Sequence, residues 1–131
     1  MIHLVTGGSG SGKSAYAEQC ILDFGGTRRV YIATMQPFGA EGQARIARHR
    51  KMRAAKQFST IECYTNLKEV ELEPGSDVLL ECMSNLTANE IFDPSGAGKA
   101  RAEEEILAGV SRLAHQARNL VLVTNEIFSD G

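Results

Sequence analysis

Eight residues near the start of the chain, Gly7-Gly8-Ser9-Gly10-Ser11-Gly12-Lys13-Ser14, spell G-x-x-x-x-G-K-[ST], and no other stretch limits the fold as much. The motif follows a short apolar run, Ile2 to Thr6, and leads directly into a helical pattern beginning at Lys13. A phosphate-binding loop requires that order. Its glycines let successive backbone N–H groups wrap an anion, and the following helix turns its positive end toward the charge. In such a loop Lys13 reaches the β- and γ-phosphates and Ser14 holds Mg²⁺. The residues Gly7, Gly8, Ser9, Gly10, Ser11, Gly12, Lys13 and Ser14 are therefore the expected nucleotide cradle.

The rest of the sequence supplies a sheet to carry the loop. Five apolar runs read as strands: Ile2 to Thr6, Val30 to Thr34, Ser59 to Cys63, Val78 to Cys82 and Leu120 to Thr124. Val78-Leu79-Leu80 and Leu120-Val121-Leu122-Val123 do not alternate, which implies burial on both faces, as in a parallel sheet covered by helices. Helices are expected over Lys13 to Phe24, stopped by Gly25-Gly26, and over Lys99 to Arg118 with its apolar spacing. A third, Glu41 to Gln57, has few apolar residues and is expected to bury little. Loops fall at Gln36 to Gly39, Glu73 to Ser76 and Asp93 to Gly98. The expectation is an α/β fold in one domain, since 131 residues support one core and not two.

Charge narrows the ligand class. The net charge of -2 argues against a general nucleic-acid binder. Yet Arg45, Arg48, Arg50, Lys51, Arg53 and Lys56 form a run of six cations without an acid. A local cationic patch on an acidic body fits a small phosphorylated ligand. No apolar run has the ~20 residues of a membrane span, and the start lacks a basic leader, so a cytoplasmic protein is expected. Cys20, Cys63 and Cys82 show no CxxC or zinc spacing and are expected to be reduced.

Two further groups carry chemistry. Asp77-Val78-Leu79-Leu80-Glu81 resembles a Walker-B strand and delivers Glu81 to the carboxyl edge of the sheet, where ligands of open α/β folds bind. Glu81 would either enter the Mg²⁺ shell or act on a hydroxyl substrate. Glu62 and Glu126 occupy similar strand ends, and singly each reads as a surface acid. On the basic helix, Arg45, His49, Arg53 and Lys56 fall within about 80° of one another. Neighbouring positive charge disfavours a protonated imidazole, and a neutral imidazole beside phosphate-binding cations can attack phosphorus. From spacing alone, a solvated basic face with an incidental histidine is the simpler account. His3 and His115 have no comparable setting.

Leu4 to Ser14, Tyr31-Ile32-Ala33-Thr34, Arg45-Ile46-Ala47-Arg48-His49-Arg50, Leu79-Leu80-Glu81-Cys82 and Val123-Thr124-Asn125-Glu126 occur in an order and spacing that, taken together, are specific. The sequence resembles the bifunctional adenosylcobinamide kinase/adenosylcobinamide-phosphate guanylyltransferases of cobalamin biosynthesis over nearly its whole length. The resemblance implies a P-loop NTPase fold with a RecA-like, mostly parallel sheet and helices on both faces. It implies phosphorylation of adenosylcobinamide by ATP or GTP, then GMP transfer from GTP through a guanylylated histidine at the position of His49. It also implies nucleotide contacts by Thr34, Arg50, Lys51, Arg53, Glu62 and Glu81, catalytic roles for Lys13 and Glu81, Mg²⁺ at Ser14, and a homotrimer.

Family members continue beyond the Val-Thr-Asn-Glu segment, so residues 1–131 are expected to form the nucleotide-binding domain without the family's C-terminal portion. The sheet edge covered by that portion would then be exposed. Two other readings stay open: a P-loop phosphotransferase or NTPase of another pathway, with the basic helix as a phosphate lid, and a nucleotide-binding fragment without full activity.

Overall fold

A computed structural model describes residues 2–7, 12–36 and 39–125, with the backbone alone at 41, 45, 49 and 125. Among these residues run β1 (Ile2–Gly7), α1 (Lys13–Asp23), β2 (Arg28–Ala33), α2 (Gly39–Ala55), β3 (Phe58–Glu62), β4 (Ser76–Glu81), α3 (Met83–Phe92), α4 (Ala102–Gln116) and β5 (Asn119–Asn125). A 3₁₀ turn at Leu67–Glu69 precedes β4.

The strands pair in the order β1-β5-β4-β2-β3, every neighbour parallel. All five expected strands are present, with ends shifted by a residue or two. The unalternating runs do bury both faces. Val78, Leu80, Leu120 and Leu122 join Leu86, Ile106 and Leu113 in one core, under α3 and α4. Leu79, Val121 and Val123 join Ala17 and Ile21 of α1 in the other. At roughly 25 cal/mol per Å² of apolar surface removed from water, these two layers are the main source of stability. The sheet edges are β1 and β3, and Ile2 and Leu4 of β1 are 53% and 64% exposed.

Parallel pairing sends every strand's carboxyl end to one edge of the sheet. Ala33 is level with both Glu62 and Glu81, and Glu81 with Val123. Alignment of these ends places residues from distant parts of the sequence on one rim.

Two expectations need correction. The basic helix buries little, as expected, but what it does bury belongs to the predicted cationic stripe: Arg53 is 5% exposed. It also ends at Ala55, so Lys56 lies past its last turn, where its ammonium pairs with Glu18 at 2.6 Å. The supposed continuous cationic face is therefore divided between a packed guanidinium and a surface ion pair. Second, α3 has no counterpart among the expected helices. Its buried residues are Leu86 and Glu90, an apolar and an acidic side chain one turn apart, and the Glu90 carboxylate accepts the N–H groups of Asn66 and Ala97. A carboxylate serving two loops takes a core position, which hides the helix from an apolar-periodicity reading.

Candidate functional site

Gly12 closes the glycine-rich loop with φ +81°, a left-handed conformation that glycine adopts without steric cost, and α1 starts at the next residue. Gly7, at the end of β1, opens the loop, while Gly8, Ser9, Gly10 and Ser11 lie outside the described residues. The first turn of α1 thus presents Lys13 and Ser14 beside the rim of strand ends. A cleft of about 230 Å³ opens there, lined by Lys13, Ser14, Thr34, Arg53 and Glu81, with Tyr31, Ile46 and Asn85 among its other walls.

Glu81 is the hub. Its Oε2 accepts the Ser14 hydroxyl at 3.0 Å and the Tyr31 hydroxyl at 3.2 Å. Hydrogen bonds to a charged acceptor contribute about 1.5–3 kcal/mol each. The other oxygen, Oε1, is buried and finds no hydrogen-bond partner among the described residues. An acceptor held this way costs about 1–3 kcal/mol unless something fills it, which marks it for a ligand, a cation or water. Burial, reinforced by the Glu81 charge, pushes the Tyr31 phenol far above its ordinary value, so Tyr31 stays a neutral donor.

Arg53 forms another wall. Its guanidinium carbon sits 3.6 Å from the centroid of the Tyr31 ring, and its buried Nε has no acceptor among the described residues. A buried cation over an aromatic face gains about 2 kcal/mol. The same cleft thus holds an unfilled donor, an unfilled acceptor and Lys13, a set that suits a phosphate and its counter-ion. No group of three metal-ligating side chains occurs among the described residues. Mg²⁺ does not need one, because it takes one or two protein oxygens together with phosphates and waters. Ser14 Oγ and the open oxygen of Glu81 fit that pattern.

Thr34 is at the cleft, but its side chain serves the backbone. Its hydroxyl accepts the Cys82 N–H at 2.8 Å and lies 3.0 Å from both the Glu81 and Cys82 carbonyl oxygens. It ties the end of β2 to the end of β4, and Asn89 of α3 holds its carbonyl at 2.8 Å.

Not every expected residue converges here. Arg50 and Glu62 form an ion pair with each other and line a separate depression with Ala54, Phe58 and Thr60, at the β3 edge. Lys51 is exposed on α2. The His49 side chain and Glu126 lie outside the description, but position 49 comes three residues after Ile46 and four before Arg53, both cleft-lining. Helical periodicity puts all three positions on one face. His3 packs on Phe24 and His115 bonds the Ser111 carbonyl, both away from the cleft. Sequence reasoning missed Tyr31 and Asn85. Tyr31 entered only as a strand residue and as part of the Tyr31-Ile32-Ala33-Thr34 run, with no role of its own, although its opposite parity to Ile32 on β2 was visible.

Among the described residues no helix is long and apolar enough to cross a membrane. Residues 3–130 match the sequence profile of the family described as Cobinamide kinase / cobinamide phosphate guanyltransferase. The bifunctional adenosylcobalamin biosynthesis protein CobU of Escherichia coli (strain K12) is 35% identical over an alignment of 140 residues, covering 97% of this chain and 76% of that protein. CobU of Salmonella typhimurium (strain LT2) is 36% identical with the same coverage. The bifunctional protein CobP of Pseudomonas aeruginosa (strain PAO1) is 33% identical, over 96% of this chain and 72% of its own length.

Proposed function

The chain belongs to the cobinamide kinase / cobinamide phosphate guanyltransferase family, and on that premise we propose that it carries out both reactions through His49 and the cleft around Glu81. It is a transferase of cobalamin biosynthesis. In the first reaction the aminopropanol hydroxyl of adenosylcobinamide bonds to the γ-phosphorus of ATP or GTP, and the bond to the departing nucleoside diphosphate breaks. In the second, an imidazole nitrogen of His49 bonds to the α-phosphorus of GTP and pyrophosphate leaves. The adenosylcobinamide phosphate then attacks that phosphorus, the P–N bond breaks, and adenosylcobinamide-GDP is formed.

The convergence of Ser14 and Tyr31 on one oxygen of Glu81, leaving the other open, is the observation that carries this reading. Phosphoryl transfer asks a protein chiefly for positioning and charge stabilisation. Lys13 supplies charge at the outer phosphates, Arg53 supplies a fixed planar donor, and the loop's N–H groups cradle the chain. Ser14 and Glu81 would hold Mg²⁺, and the ion would supply positive charge against the phosphates. Position 49 shares a helix face with Ile46 and Arg53, which supports a part for it in the guanylyl step. Arg50, Lys51 and Glu62, at the β3 side, belong to the same reading as contacts made when the nucleotide is bound. A cytoplasmic homotrimer completes it.

The direct test is incubation with adenosylcobinamide, ATP, GTP and Mg²⁺, followed by mass analysis of the corrinoid. Adenosylcobinamide-GDP is the expected product. Recovery of unmodified adenosylcobinamide from a sample that binds and hydrolyses nucleotide would favour a phosphotransferase or NTPase of another pathway. Recovery of it from a sample that binds without turnover would favour a nucleotide-binding fragment.

A further inference from the structure

We propose that Tyr31 is a positioning residue that sets the two halves of the nucleotide site against each other: its hydroxyl orients Glu81 for Mg²⁺, and its ring seats Arg53 for the phosphates. The inference rests on the nucleotide-binding reading above, but it does not depend on what substrate accepts the phosphoryl group.

The two sides of the site come from elements that are separate in sequence. Ser14 and Glu81 stand on α1 and β4, and Arg53 stands on α2. Tyr31, 6% exposed in the middle of β2, touches both. Its hydroxyl donates to Glu81 Oε2 at 3.2 Å, and its ring lies 3.6 Å from the Arg53 guanidinium carbon. A carboxylate on a flexible side chain can present either oxygen. With Ser14 and Tyr31 both donating to Oε2, the plane of the carboxylate is held, and Oε1 keeps one direction without a partner among the described residues. On the other side, the flat ring holds the guanidinium at one depth. That leaves Arg53 Nε without an acceptor among the described residues, ready for a phosphate oxygen. Both unfilled atoms are thus adjacent to groups that Tyr31 holds, which a tyrosine serving only as core filling would not produce.

The two contacts can be separated by substitution. Tyr31→Phe keeps the ring and removes the hydroxyl, whereas Tyr31→Leu removes both. The probe is a fluorescent, non-hydrolysable GTP analogue, titrated at saturating Mg²⁺ and then with Mg²⁺ varied. For Tyr31→Phe the Mg²⁺ concentration giving half-maximal binding should rise about tenfold, with analogue affinity at saturating Mg²⁺ within about twofold of wild type. For Tyr31→Leu the affinity at saturating Mg²⁺ should also fall about tenfold. In a Glu81→Gln background, adding Tyr31→Phe should change the Mg²⁺ requirement by less than about twofold, because its effect passes through the carboxylate. An unchanged Mg²⁺ requirement in folded Tyr31→Phe overturns the proposal, as does an equal, additive effect in the Glu81→Gln background. If the wild type binds the analogue yet makes no adenosylcobinamide phosphate, the substrate assignment fails while Tyr31 is still judged by these titrations. If the wild type does not bind the analogue, both fall.

Discussion

The Ser14 hydroxyl donates to Glu81 Oε2 at 3.0 Å, joining the first helical turn after the glycine-rich loop to the end of β4. Ser14 is exposed and Glu81 half-buried at the rim of the sheet, so altering either should act first on the site. Glu81→Gln keeps an acceptor but loses the charge. It is expected to lower phosphorylation of adenosylcobinamide at least a hundredfold, in line with removal of one strong electrostatic stabiliser. Varying Mg²⁺ separates the two roles considered for this carboxylate. A raised Mg²⁺ requirement marks it as part of the metal shell, and an unaltered one with low kcat marks it as the hydroxyl's proton acceptor.

Arg53 offers a planar, delocalised cation to both the Tyr31 ring and the cleft. Lysine carries the same charge without that geometry. Arg53→Lys is therefore expected to raise KM for GTP about tenfold, close to the effect of Arg53→Ala, in steady-state assays of guanylyl transfer. Recovery of wild-type KM by lysine would show that charge alone matters here.

Asp77 is the second residue of the strand that ends in Glu81, and its function is structural. It is fully buried, pairs with Arg118 at 3.3 Å and accepts from Asn119 at 3.0 Å, at the end of the sheet opposite the cleft. Asp77→Ala leaves two donors unmatched, one of them on a side chain that reaches water. A loss of roughly 1–3 kcal/mol in denaturant unfolding is expected, with KM values for nucleotide unchanged in the folded fraction.

Acid should weaken the contact between α4 and the 3₁₀ turn. A hydrogen bond from Lys68, whose ammonium lies 2.6 Å from Glu105, holds that carboxyl below its ordinary range, and the Lys68 and Arg101 charges add to the effect. A depressed folded-state value means the stabilisation is complete above the unfolded value of about 4.3 and disappears as pH falls through the folded one. Thermal melts between pH 6 and pH 3 should show a steeper fall for wild type than for Glu105→Gln. Parallel curves would remove the ion pair from the account.

The sheet was legible because its evidence is local: apolar runs without alternation, bounded by turn residues, mark strands buried on both faces. The loop's place between β1 and α1 was legible for the same reason. α3 was not, since Glu90 stands at a core position and its loop partners, Asn66 and Ala97, are distant or unremarkable in sequence. Lys13, Ser14, Arg53 and Glu81 were named in advance and do meet at the cleft. Tyr31 was overlooked because strand parity tells which face a residue takes, and only the strand order tells what stands on that face. Arg50 and Glu62 were grouped with the site by resemblance, whereas their mutual attraction at the β3 edge is a tertiary fact.

In the proposed function this cleft delivers GTP to a nucleophilic histidine on α2. Intact-mass measurement after incubation with GTP and Mg²⁺ is the decisive experiment. One guanylyl group should add to the protein in an acid-labile linkage, be absent in His49→Ala, and be discharged by adenosylcobinamide phosphate. An unchanged mass in a folded, GTP-binding sample would rule out guanylylation of this helix.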